Sequence, residues 1–122
     1  MSKRDPALYL NDMLEATIYI AEYTDRMSYG DFLKQRMVRD AVIRNLEIIG
    51  EASRQLPEEQ RARFPQVPWS RMIGFRNVAI HAYSTVDWQS VWEIRTLHLP
   101  VLKEQLVQIL DEITLEATDE GG

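Results

Sequence analysis

The feature that most limits what this chain can fold into is the period of its apolar residues. Leu10, Leu14, Thr17, Ile18 and Ala21 recur three and four apart, as do Val38, Ala41, Val42, Asn45, Ile49, Ala52 and Leu56. That spacing lays side chains along one face of an α-helix, which turns once every 3.6 residues. A third series, Ile94, Leu97, Val101, Leu102, Leu106, Ile109 and Ile113, lies near the end of the chain. No stretch alternates apolar and polar residues over the length of a strand, so an all-α fold is expected.

Capping and helix-breaking residues divide these series. Asp5 suits the N-cap of a helix whose first turn holds Pro6, and that helix should end near Met27. Ser28 and Asp31 have the spacing of a capping box, with Asp in place of Glu. They should open a second long helix reaching about Leu56, where Pro57 stops it. Asn45 is the polar exception on its inward stripe. Gly50 weakens this helix unless another helix packs closely against it. PEEQRARFPQVP reads as one short helical turn and a loop. Pro68-Trp69-Ser70 should begin a third main helix, roughly 69–81, and Ser84-Thr85-Val86-Asp87 should turn the chain, with Thr85 or Asp87 as the next N-cap. The last helix should run from about 87 to 113, with Pro100 kinking or breaking it. Trp69, Trp88 and Trp92 stand at helix beginnings, where core or interface anchoring is expected. The outcome is an antiparallel bundle of about four main helices plus a short one, a domain over 1–113, with a polar, flexible tail over 114–122.

Composition narrows the chemistry. A chain of 122 residues has room for one core. It has no cysteine, which excludes disulfides, thiolate metal sites and thiol nucleophiles. No run of 18 apolar residues exists to span a membrane. The opening MSKRDPALYL lacks the uninterrupted apolar stretch of a leader, so the cytoplasm is the expected compartment. The net charge of −5 is not the broad basic footprint of many nucleic-acid binders, so any RNA contact must be local. Lys and Arg gather over 34–44 and 61–76, where they read first as solvated helix faces.

One segment stands out. In RMIGFRNVAIHAYSTVDW, the side chains of Arg76, Asn77, His81 and Tyr83 fall within eight residues. An imidazole titrates near neutral pH and can move a proton to or from a hydroxyl. A guanidinium matches phosphate oxygens with a planar fork of donors. RNA supplies its own nucleophile, the 2′-hydroxyl, so this set could cleave a phosphodiester with no metal or cofactor. On a regular helix, however, Arg76 and His81 are about 140° apart. Either the helix ends near His81, or a second subunit brings another copy of the motif close, as a two-fold homodimer would. The plainer alternative is that His81 caps a helix or fills an interface. His98 has no such neighbours and reads as a surface or packing residue.

Arg76-Asn77-Val78-Ala79-Ile80-His81-Ala82-Tyr83 fits R-x-x-x-x-H-x-Y with Asn directly after Arg, and resembles the signature of HEPN-superfamily ribonuclease toxins of the HepT-like kind. DAVIRNLEIIGEAS at 40–53 resembles that family's second long helix, and the opening DPALYLNDMLEATIYI and the LPVL at 99–102 also fit. The resemblance implies a dimeric helical bundle with the two motifs facing across a cleft, and metal-independent RNA cleavage through 2′-hydroxyl attack. It implies Arg76 and His81 as the catalytic pair, with Asn77 and Tyr83 in support. It further implies a toxin neutralised by an MNT-type nucleotidyltransferase antitoxin, which attaches AMP to Tyr83. A different class of function is also open: a non-catalytic HEPN module that binds a partner nucleotidyltransferase and its nucleotide substrate.

Overall fold

The computed structural model describes residues 4–85 and 87–121, with side chains described as far as residue 118. Every element is helical: α1 (Pro6–Tyr23), α2 (Tyr29–Lys34), α3 (Arg36–Gln55), α4 (Glu58–Arg63), α5 (Trp69–Thr85), α6 (Trp88–Glu93), a π-helical turn (Ile94–His98) and α7 (Leu99–Gly121). The caps form as the sequence anticipates. Asp5 accepts a hydrogen bond from the Ala7 backbone, and Ser28 and Asp31 complete a reciprocal capping box. Asp87, rather than Thr85, caps α6. Val86, from the turn expected there, lies outside the described residues.

The long helices pack antiparallel. The Ser53 hydroxyl of α3 lies 3.5 Å from the Met13 sulfur of α1. On the other side of α1, Arg95 donates to the Thr24 hydroxyl at 2.8 Å and to the Thr24 carbonyl at 3.0 Å. The core runs between these helices through Leu10, Met13, Ile20, Leu46, Ile49, Phe75, Leu102, Leu106 and Ile109, all nearly inaccessible to solvent. Buried polar side chains are satisfied locally: the Asn45 amide donates to the Ala41 carbonyl and the Thr24 hydroxyl to the Ile20 carbonyl.

Four expectations need correction. First, α1 stops at Tyr23 rather than near Met27, because Arg26 turns the chain with a left-handed φ of 60°. Its buried face is Leu10, Met13, Ala16, Thr17 and Ile20, while Ala21 is exposed. Second, the second long helix is split at Gln35. Phe32, wholly buried, packs on Trp88 and Trp92 with ring centroids 6.2 and 5.0 Å away, and this pulls α2 off the axis of α3. Arg39 reaches back to the carbonyls of Phe32 and Leu33, satisfying the end of α2. Third, α5 continues past His81 to Thr85, with Ser84 and Thr85 donating to the carbonyls of Ile80 and His81. Fourth, Pro100 acts upstream of itself. The Leu99 N–H bonds to the Ile94 carbonyl, five residues back, and this wider turn makes room for the proline ring against the preceding turn. The extra residue shifts the helical phase: Ile94 and Leu99 are both buried, while Leu97 and Val101 face solvent at 57% and 53% exposure. Beyond Ile113, α7 continues to Gly121 without a break.

Gly50 sits where α3 meets α5. A Cβ built there would lie 3.0 Å from the Arg76 nitrogen, 3.1 Å from its Cβ and 3.2 Å from the Ile73 carbonyl oxygen. Two of these are backbone atoms of a helix and cannot swing aside. Gly50→Val should therefore lower stability by about 1–3 kcal/mol through overpacking, even though valine has the better helix propensity. A urea midpoint equal to the wild type would show that α3 and α5 can separate without penalty.

Candidate active site

The motif lies on α5, whose inner face is set by Met72, Phe75, Ala79 and Ala82, all buried. Burying these residues leaves Arg76, Asn77, Ile80, His81 and Tyr83 exposed. Because α5 is an uninterrupted helix from Trp69 to Thr85, the possibility that it ends near His81 is removed. Within one chain Arg76 and His81 therefore stay on different sides of the exposed surface, about 140° apart by the helical period. The side chains of Arg76, Asn77 and His81 form no hydrogen bond or ion pair with other described residues. All three are free to meet a ligand.

Tyr83 is held differently. Its hydroxyl donates to the Asp40 Oδ1 of α3 at 2.5 Å, and its ring meets Trp88 edge-on at 5.9 Å. Asp40 also lies 4.0 Å from the Arg36 guanidinium one turn earlier. The hydrogen bond to the carboxylate is the main reason the Tyr83 phenol holds its proton above the ordinary tyrosine range. At the other end of the α3–α5 seam, Glu51 accepts from Arg54 at 2.6 Å and from Gln55 at 2.8 Å. These bonds bring its carboxyl down to about 2, with Arg76 adding a weaker pull. The seam thus carries Glu51 near Arg76 at one end and Asp40 on Tyr83 at the other.

Asp40 was not anticipated as a site residue. The clue available was the antiparallel register: moving back along α3 from Gly50 while moving forward along α5 from Arg76 leads to Asp40 and Tyr83. His98 is a packing residue, as expected. It is half-buried, its Nδ1 lies 3.3 Å from Arg71, and burial followed by that neighbouring charge lowers its pKa. Trp69 is buried and donates to the Phe64 carbonyl at 2.9 Å, an anchor as expected. Among the described residues no three His, Asp or Glu side chains converge as metal ligands would, and no helix is long and apolar enough to cross a membrane.

A helical bundle that presents Arg-Asn-x-x-x-His-x-Tyr on the open face of one helix defines a protein of the HEPN superfamily. The chain matches the family described as Ribonuclease HepT-like over residues 13–109, and it belongs to that family. A Methanocaldococcus jannaschii protein named as a candidate RNase is 43% identical over 106 residues, covering 87% of this chain and 97% of that protein. A second such protein from the same organism is 36% identical over 122 residues, covering 100% and 99%. A Thermococcus cleftensis protein named "Probable ribonuclease HepT" is 41% identical over 101 residues, covering 83% and 92%. No solved structure matches the chain. The family and these names support a ribonuclease-type function.

The Tyr83–Asp40 bond has a definite pH signature. A group whose pKa is raised on folding contributes stability that is present below the unfolded value, here 10.0, and lost as pH rises through the higher folded value. Asp40→Asn should therefore move the Tyr83 titration back down toward 10.0. Ultraviolet titration of phenolate, with Tyr83→Phe subtracted to isolate this ring, would measure it. An unchanged curve would mean that Asp40 does not hold the phenol.

Proposed function

We propose that this chain is a metal-independent endoribonuclease, the toxin of a HEPN/MNT toxin–antitoxin pair, with a composite site at a homodimer interface. One observation carries the reading: Arg76, Asn77 and His81 are exposed together on α5 and form no hydrogen bond or ion pair with the other described residues. In this reading Arg76 holds the scissile phosphate and stabilises its charge in the transition state, while His81 moves the proton of the 2′-hydroxyl or of the leaving oxygen. Asn77, one turn before His81, supports the pair. The 2′-oxygen attacks phosphorus, the 5′-oxygen leaves, and a cyclic phosphate results without any metal. The separation of Arg76 and His81 on an unbroken helix favours a second copy as the supplier of the opposing residues. Such a dimer should bury roughly 1,200 Å² or more in total.

Tyr83 is the proposed point of control. An AMP on its hydroxyl, attached by an MNT-type nucleotidyltransferase, would add negative charge and bulk beside His81 and repel the RNA backbone. Tyr83 lies on the surface, with the residue 53% exposed and its hydroxyl engaged by Asp40 alone among the described residues. The alternative of a non-catalytic module for a nucleotidyltransferase is less favoured, because a docking face has no need of a free guanidinium and imidazole.

Purified protein should cleave RNA in EDTA. His81→Ala and Arg76→Ala should each lower the rate by about 10²–10⁴ while leaving the circular dichroism spectrum intact, since both side chains are exposed. A well-folded His81→Ala protein that cleaves at the wild-type rate would falsify the assignment of His81. Sedimentation should give the mass of two chains at micromolar concentration, and a monomer there would rule out the composite site. For Tyr83, intact mass after incubation with the partner nucleotidyltransferase and ATP should rise by AMP. A protein silenced without that gain would leave complex formation as the mode of control.

A further inference from the structure

Arg76 is exposed, but at the edge of a groove rather than on a flat surface. It borders a groove of about 550 Å³ between α1, α3 and α5, into which Arg4, Arg44, Arg54 and Arg76 project together with Asp12, Glu47 and Glu51. Four guanidiniums face three carboxylates there, in a chain whose overall charge is −5. The groove reverses the sign of the molecule at the place where the motif arginine lies.

The charges in the groove divide into committed and uncommitted groups. Arg4 is paired with Asp12 at 2.7 Å and Arg54 with Glu51 at 2.6 Å. Arg44 and Arg76 are exposed, and neither forms a hydrogen bond or ion pair with the other described residues. Arg44 lies on α3 between Asp40, which meets Tyr83, and Gly50, which meets Arg76. It lines the same groove as Arg76. By contrast, the cavity on the other side of α5 has its guanidinium, Arg71, already against His98.

We propose that this groove binds the phosphodiester backbone of single-stranded RNA, with Arg44 gripping a phosphate next to the one held by Arg76. The proposal rests on the reading of the motif as an RNA-cleaving site and says where the neighbouring nucleotides lie. A guanidinium offers a planar fork of donors suited to phosphate oxygens and remains charged at any physiological pH. Two such forks on adjacent helices, with no hydrogen bond or ion pair to other described residues, suit a strand whose charges repeat at every nucleotide. Arg44 is a binding residue here, and the proton transfers remain with the motif.

The test is the salt dependence of binding for a fluorescent single-stranded RNA oligonucleotide, followed by anisotropy in the non-cleaving His81→Ala background. Adding Arg44→Gln should weaken binding and reduce the slope of log K against log salt by about 0.7, one phosphate contact on a single strand. Arg44→Lys should restore most of that slope. Glu47→Gln, which removes a carboxylate from the groove, should tighten binding. Lys103→Gln, on exposed α7 away from the groove, should change nothing. In the cleaving protein, Arg44→Gln should raise KM on the oligonucleotide, leave kcat in place, and leave cleavage of a dinucleotide unaffected. Unchanged affinity and slope for both Arg44→Gln and Glu47→Gln, in a protein that still cleaves RNA, would overturn the groove and spare the ribonuclease reading. RNA that binds with the expected slopes but is never cut would do the reverse, and RNA that does not bind the wild type at all would remove both.

Discussion

The close contact of Gly50 with the backbone of Arg76 is the constraint on which the rest of the molecule depends. Only a residue without a side chain lets α3 approach α5 so nearly that a Cβ would lie 3.0 Å from the Arg76 nitrogen. Small residues continue the fit on α5, where Ala79 and Ala82 are wholly buried. With its inner face fixed in this way, α5 has no rotational freedom left. Arg76, Asn77 and His81 must point outward, and Tyr83 must land on Asp40.

The two kinds of polar group in this chain are treated in opposite ways. In the interior, Thr17, Thr24, Asn45 and Ser53 each donate to a carbonyl of their own helix, so the desolvation penalty of an unpaired group is avoided. Arg39 caps α2 with its guanidinium and lies 5.2 Å from the Trp88 ring centroid, although its buried Nε has no hydrogen-bond partner among the described residues. On the motif face, three side chains with strong hydrogen-bonding capacity have no hydrogen-bond partner among the described residues. An unpaired polar group in contact with water costs almost nothing until a ligand arrives, and it needs no internal bond to be broken before it binds.

The class of fold was legible because helical period, capping residues and prolines all pointed the same way. Asp5, Ser28, Asp31 and Pro57 act where the sequence places them. The misplaced boundaries share a physical reason: they are set by contacts between distant segments. No Gly or Pro marks the break at Gln35, which follows from Phe32 entering the pocket of Trp88 and Trp92. Arg26 is an unusual choice for a left-handed turn and gives no warning of one. The motif residues were legible from their types and spacing. Asp40 and Arg44 were not, since each gains meaning only from the helix lying beside it.

The π turn before Pro100 has a bearing on how this chain can vary. A turn of this kind holds one residue more than an α-helix of the same rise, like an insertion absorbed without breaking the rod. Closing 94–98 into the ordinary ladder with every residue kept would rotate everything after it by about 100°. Leu102, Leu106 and Ile109 would then swing out of the core together, and Leu97 and Val101 show where they would go. The stretch joining Trp92 to Leu102 thus carries one residue more than a regular helix of the same phase needs. Loss of one residue there restores the ordinary ladder with the core face in phase, whereas a further insertion has no such turn left to absorb it.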